Sequence, residues 1–352
     1  MIEKNNFLKN KKNKLALITG SAGFIGFHLC KFLLDNDWKV IGYDALTDYY
    51  DVNLKVHRQD ILQNYSKFHK VNSLIENNDD FEKICLNHQP DIIVHLAAQA
   101  GVRYSIENPE SYVNSNLVAT FKVLEAAKKI NINHLLIASS SSVYGSNEVI
   151  PFNELQKTDN QISFYGATKK ANENMSHSYS HLYGIPITMF RFFTVYGPYG
   201  RPDMALFKFV DSMLNGNAID IYNHGNMKRD FTYISDLIYA ISLLIKVIPE
   251  SVDARTNVIE GDSLSPSAPF RIINIGNSKP RSLMDFIYII EKELGIQARK
   301  NMVSMKQGDV VSTSACNNLL KRLTSYKSQV SLQEGIKKFI AWYKEYYDVS
   351  NI

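Results

Sequence analysis

Tyr165 and Lys169 stand four residues apart in Tyr165-Gly-Ala-Thr-Lys169, so on a helix a phenol and an ammonium would share one face. An unperturbed phenol titrates near ~10 and is a poor base at neutral pH. A neighbouring ammonium favours the phenolate and brings that proton toward the working range. Ser140, inside the run Ser139-Ser-Ser-Ser142, adds a hydroxyl that can relay or share a substrate proton. Tyr-x-x-x-Lys alone is common on surface helices, so its weight depends on what else the chain carries.

Upstream lies Gly20-Ser-Ala-Gly23-Phe-Ile-Gly26. Gly20, Ala22, Gly23 and Gly26 are small enough for a tight turn, for close approach of the backbone to a diphosphate, and for a helix packed on a strand. Phe24 and Ile25 open that helix, whose unpaired N–H groups and partial positive charge suit phosphate. The loop follows an apolar strand and is itself followed by Asp44 at the end of a second strand, the context such a motif requires. A carboxylate there accepts hydrogen bonds from both ribose hydroxyls and repels a 2′-phosphate, so the expected cofactor is NAD rather than NADP.

These residues need a frame. Apolar runs at 15–19, 38–43, 91–98, 134–139, 186–193 and 271–276 read as strands, and periodic stretches at 24–34, 112–129, 165–183 and 332–347 read as helices. Near-continuous apolar strands alternating with helices imply a parallel sheet covered on both faces, hence a Rossmann-like, doubly wound α/β fold. Ser140 then sits at the carboxyl edge of the sheet, where ligands bind in such folds. Residues 1–14 read as a basic lead-in and 15–190 as the dinucleotide-binding domain, joined again by 234–250 and 271–276. Residues 191–233 and 277–352 read as a smaller α+β substrate domain, with 247–269 a surface excursion.

Composition narrows the function. The 352 residues are 45% hydrophobic and 21% charged with a net charge of +4, ordinary for a globular protein. No arginine-rich arm suggests nucleic acid, and no run approaches the ~20 apolar residues of a membrane span. Cys30, Cys85 and Cys316 are widely spaced, so no disulfide framework and no metal site is expected, and a reducing, cytoplasmic setting fits.

Several longer segments carry a resemblance from Leu15 to about Tyr347: His95-Leu-Ala-Ala-Gln-Ala-Gly-Val-Arg-Tyr-Ser105, Ser139-Ser-Ser-Ser-Val-Tyr-Gly145, Arg191-Phe-Phe-Thr-Val-Tyr-Gly-Pro198 and Gly200-Arg-Pro-Asp-Met204, with Arg229-Asp-Phe-Thr-Tyr233 and Gln307-Gly-Asp-Val310 extending it. The chain resembles the extended short-chain dehydrogenases/reductases and, among them, the UDP-glucuronate 4-epimerases. The resemblance implies that Tyr165, assisted by Ser140 and Lys169, removes the proton of the sugar 4-hydroxyl while hydride passes to a tightly bound NAD that is regenerated each cycle. It also implies Leu96, Ala97, Ala98 and Asn116 as further cofactor contacts, Arg229 on the UDP diphosphate, Asp309 near the uridine ribose, and a homodimer paired through helices.

A hexuronate oxidised at carbon 4 is a β-keto acid, which loses carbon dioxide readily when its carboxylate stands perpendicular to the carbonyl plane. An epimerase must hold the carboxylate elsewhere. Ser141, Ser142, Thr194 and Arg201 are the candidate holders, and the resemblance favours Ser141, Thr194 and Arg201. Related decarboxylases carry Asn at the position of Thr194 and lack Gly-Arg-Pro-Asp-Met. The bland alternatives are a salt bridge for Arg201, a pair with Asp230 for Arg229, and a turn role for Asp309. Asn72 stands where relatives usually have an Asp near the adenine, which implies slightly weaker NAD binding. A 4-epimerase of a UDP-N-acetylhexosamine or its uronate, a decarboxylase, and a non-catalytic nucleotide sensor that kept the fold remain alternatives.

Overall fold

The computed structural model describes residues 14–77, 79–255 and 259–349. The basic lead-in therefore lies almost wholly outside the described residues. A seven-stranded parallel sheet runs in the order β11-β6-β5-β4-β1-β2-β3. Its strands are β1 (Leu15–Thr19), β2 (Lys39–Asp44), β3 (Phe68–Asn72), β4 (Ile92–His95), β5 (His134–Ser140), β6 (Ile187–Phe192) and β11 (Phe270–Ile275). Every residue of β4, β5 and β6 is buried, as two covered faces demand. The chain leaves β1 toward β2 and β3, then returns to lay β4 on the other side of β1. The carboxyl ends of β1 and β4 thus form the crevice of a doubly wound sheet.

Helices α1 (Phe24–Asp35), α2 (Val52–Gln63), α3 (Asp80–His88), α4 (Ala119–Lys129) and α5 (Phe164–Tyr183) cover the sheet's faces, and α6 (Ala205–Leu214), α7 (Ile234–Leu244), α8 (Leu283–Leu294) and α9 (Leu332–Tyr346) follow. Ser163 caps α5 through the Gly166 N–H, and Gly184 ends it in the left-handed region. Among the described residues there are also three two-stranded ribbons: β7 (Thr194–Tyr196) with β10 (Phe231–Tyr233), β9 (Lys228–Arg229) with β12 (Arg281–Ser282), and β8 (Ile219–Tyr222) with β13 (Lys300–Val303). One apolar cluster runs from Ala16, Val94 and Leu136 through Leu237 to Phe286, Phe339 and Trp342, so the later helices share the sheet's core. None of the described helices is long and apolar enough to cross a membrane.

Two expected elements differ. The strand expected over 91–98 stops at His95 because Thr19 intercepts the next residues: its Oγ1 accepts the N–H groups of Leu96 and Ala97, both at 3.1 Å. The helix expected over 112–129 is not one regular helix. A π-helical stretch, Val113–Val118, precedes α4, and the wider turn brings Asn116 inward, where it is fully buried.

Beneath the carboxyl end of β5, Arg191 of β6 grips Glu173 of α5 through two 2.8 Å hydrogen bonds, and Ser139 Oγ donates to the same carboxylate at 2.8 Å. Both charged side chains are 2% exposed. Breaking such a pair leaves a buried charge unmatched, so Glu173→Ala should destabilise the fold by about 3–5 kcal/mol. A urea midpoint equal to that of the parent protein would contradict this.

His95 and His134 are buried on hydroxyl and carbonyl partners, and burial pushes both down to about 3. Between about 6.5 and about 3 the unfolded chain therefore binds more protons than the folded one, and stability falls as pH falls. At about pH 5.5 each histidine should cost roughly 1.2 kcal/mol relative to neutral pH. Urea titrations at the two pH values would reveal it; equal midpoints would show that these imidazoles titrate normally.

Candidate active site

The glycine loop is fastened to its neighbours by backbone bonds. Gly20 N–H donates to Tyr43 O at 2.8 Å and Gly23 N–H to Gly20 O at 2.9 Å. A side chain could not enter here. A Cβ on Gly26 would lie 2.0 Å from Gly20 O, and one on Gly20, whose φ is +69°, would lie 2.8 Å from Ala97 N. Helix α1 opens at Gly23 with no side-chain cap and no acidic residue in its first turn. Its leading N–H groups are left for an anion. The cradle thus fits a dinucleotide diphosphate.

A single cavity brings together Gly20, Gly23, Phe24, Ile25, Gly26, Asp44, Leu96, Ala97 and Ala98 with Ser140, Tyr165, Lys169 and Arg201. Asp44 Oδ2 accepts the Ala22 N–H at 2.9 Å and Oδ1 the Leu46 N–H at 2.9 Å. A carboxylate has lone pairs beyond these two bonds. Ala22 itself has no exposed surface and shapes the loop from behind. Asn116 does not line the cavity either. Its Oδ1 accepts the Gln99 N–H at 2.9 Å, and its Nδ2 donates to Gln99 O and Thr168 Oγ1, tying the cavity wall to α5. The structure places Asn116 in this bridging position behind the Gln99 backbone.

The adenine end also differs from expectation. Asn72 Oδ1 accepts from Gln59 at 2.8 Å, and the cavity is lined instead by Ser73, Leu74, Ile75 and Glu76. These residues, with Thr47, Tyr49 and Lys55, have no spacing signal in the sequence. They reach the cavity because β3 ends beside β2.

Lys169 is 3% exposed, and its Nζ donates to Ala138 O at 3.0 Å. Burial lowers it to about 8. Burial likewise raises the Tyr165 phenol, while the Ser140 hydroxyl and the Arg201 charge pull it back. Burial outweighs these neighbours, so without a cofactor the phenol stays protonated; the sequence reading joins Lys169 to a positive nicotinamide ring, whose charge enters only with NAD. A positive charge arriving in the cavity is what would shift the balance. Ser140 Oγ accepts the Ser142 N–H at 3.1 Å and lies 3.2 Å from Ser142 Oγ, which fixes it at the strand end.

Arg201 combines both readings made of it. It lines the cavity, and it is also paired: its Nε donates to Asp203 Oδ1 at 2.9 Å and its Nη2 to Oδ2, which further accepts from Tyr49 at 3.1 Å. Burial opposes both charges, yet the pair holds Asp203 below the usual carboxylate range. Ser141, Ser142 and Thr194 are half-buried but do not line the cavity.

Arg229 and Asp309 lie apart from that cavity. Arg229 Nη1 donates to the carbonyls of Lys228 and Val311, not to Asp230, whose buried carboxylate receives the N–H groups of Asn277, Ser278 and Ala315. Asp309 accepts from Arg103 at 2.8 Å, and the Arg103 guanidinium lies 4.0 Å over the Tyr222 ring. Arg103 belongs to a quoted motif, yet its partners are more than a hundred residues away in sequence.

Comparison with known proteins identifies the family. Residues 16–258 match the NAD dependent epimerase/dehydratase family. The chain is 50% identical, over 94% of its length and 97% of the relative's, to the "Probable UDP-glucuronate 4-epimerase" of Rhizobium meliloti (strain 1021). It is 42% identical to UDP-glucuronate 4-epimerase 4 of Arabidopsis thaliana, over 94% of this chain and 75% of that one. It superposes on the crystal structure of UDP-glucuronic acid 4-epimerase from Bacillus cereus in complex with UDP-glucuronic acid and NAD with a TM-score of 0.84 at 33% identity, covering 95% of this chain and all of the other. With the glycine loop, the Tyr165/Lys169 helix and these likenesses together, the chain belongs to the NAD-dependent epimerase/dehydratase family.

Proposed function

We propose that the protein is an NAD-dependent 4-epimerase of a UDP-hexuronic acid, interconverting UDP-glucuronate and UDP-galacturonate through a 4-keto sugar. The observation that carries this reading is one cavity holding the dinucleotide cradle, the Ser140/Tyr165/Lys169 set and a cationic Arg201. The named relatives support the same substrate.

The glycine loop, the start of α1 and Asp44 would hold NAD, and the chemistry it would supply there is reversible hydride acceptance from carbon 4. Tyr165 Oη receives the 4-hydroxyl proton, with Ser140 Oγ bonded to the same oxygen. Lys169, fixed on Ala138 O, keeps the ammonium beside the phenolate. The same phenol then returns its proton to the 4-oxygen of the opposite epimer, and because the hydride would go back to carbon 4 as well, no net redox occurs.

Arg201 anchors the carboxylate, with its orientation set by Asp203 and Tyr49. Ser141, Ser142 and Thr194 supply hydroxyls on the sugar side. Held this way, the carboxylate stays out of the geometry that expels carbon dioxide. Arg201→Met should raise KM for UDP-glucuronate by roughly ten- to a hundredfold, the factor for losing a charge-assisted contact, and should raise the fraction of turnovers that yield a UDP-pentose. An unchanged KM and product ratio would remove the carboxylate from Arg201. Arg229 and Asp309, with Arg103 and Tyr222, form the uridine diphosphate end. Two copies pair through α4 and α5, a reading supported by the exposed Phe121, Phe164 and Leu182.

A further inference from the structure

Helix α2 turns polar side chains inward: Lys55, Arg58 and Gln59 are buried beside Leu54 and Leu62. Arg58 has no exposed surface. Its Nη1 donates to Ala22 O at 2.8 Å and Tyr50 Oη at 2.9 Å, and its Nη2 donates to Tyr199 O at 2.6 Å and Gly200 O at 3.4 Å. Every one of these acceptors is neutral, and the buried Nε finds no partner. A fully buried guanidinium held only by neutral oxygens is costly unless an anion answers its charge.

The two ends of this clamp matter. Ala22 lies inside the glycine loop, and its N–H is bound by Asp44. Tyr199 and Gly200 immediately precede Arg201, and Tyr199 holds a left-handed φ of +58°. One planar cation thus joins the cradle for the cofactor diphosphate to the segment that aims Arg201 at the substrate. A carbonyl on each side fixes their spacing, which a fork of donors can do and a point charge cannot.

We propose that Arg58 is a positioning residue that couples the two binding events: the diphosphate in the glycine loop offsets its charge, and the clamp so tightened sets Arg201 for the substrate carboxylate. The coupling is reciprocal, so a carboxylate-bearing substrate must slow the loss of NAD. This rests on the functional reading above for the substrate and for the hold of Arg201 on its carboxylate.

The test follows exchange of bound NAD with labelled NAD in the holoenzyme. In the parent protein UDP-glucuronate should slow exchange about tenfold more than UDP-glucose, which lacks the carboxylate. Arg58→Lys keeps the charge but cannot span both carbonyls: exchange without substrate should stay within a few-fold of the parent, the extra slowing should vanish, and KM should rise more than kcat falls. Arg58→Met should speed exchange about tenfold or more even without substrate. Rescue of coupling in Arg58→Lys, or absence of coupling in the parent protein, overturns the proposal. UDP-glucuronate failing to bind the parent would sink the functional reading instead, and an Arg58→Met variant that then keeps NAD like the parent would sink this one separately.

Discussion

Tyr165→Phe should cut kcat by roughly 10²–10⁴-fold, the range expected for losing a positioned acid–base group, while the purified protein keeps its NAD. The change removes one oxygen and little else. The ring stays packed at the edge of Tyr112, 6.0 Å between centroids, and Lys169 keeps its own tether to Ala138 O. KM should move little, because an interaction used chiefly in the transition state lowers kcat and kcat/KM together. Absorbance of bound NAD and steady-state kinetics read both halves of the expectation. Activity close to that of the parent would take Tyr165 out of the mechanism.

The second large effect belongs to Gly26→Ala. The added Cβ would meet Gly20 O at 2.0 Å and Gly20 C at 2.7 Å, both backbone atoms that no rotamer change can move. Either α1 retreats or the loop opens, and each spoils the cradle. Overpacking of this kind costs about 1–3 kcal/mol, which as lost affinity is roughly ten- to a hundredfold. The protein should purify depleted of NAD and melt at a lower temperature. Gly184→Ala is the control: its φ of +66° is strained for alanine, but nothing lies within 4 Å. It should cost about 1–2 kcal/mol and leave NAD binding alone. NAD retained by Gly26→Ala would mean that the loop is not the cofactor cradle.

The parts of this architecture that could be read in advance are those with local causes. β5 is buried along its whole length, so between His134 and the serines its residues had to be apolar, and α5 announces itself by its periodicity. β3 escaped because only Phe68 and Val71 are partly buried and its other residues are exposed, leaving no apolar run to see. The π turn escaped because one widened turn barely disturbs a helical period. The roles of Asn116, Arg58 and Arg103 depend on partners on other elements, at Thr168, Tyr199 and Asp309, and single-chain spacing carries no trace of such pairs. Arg201 shows the limit most clearly. Its type and motif suggested a carboxylate, but only the fold placed Asp203 and Tyr49 around it.

The most direct test incubates the purified protein with UDP-glucuronate, without added NAD, and follows the products by NMR. The account predicts UDP-galacturonate accumulating to a stable ratio with UDP-glucuronate and no carbon dioxide. A UDP-pentose with carbon dioxide, or no reaction with this substrate while UDP-N-acetylglucosamine is epimerised, would contradict it.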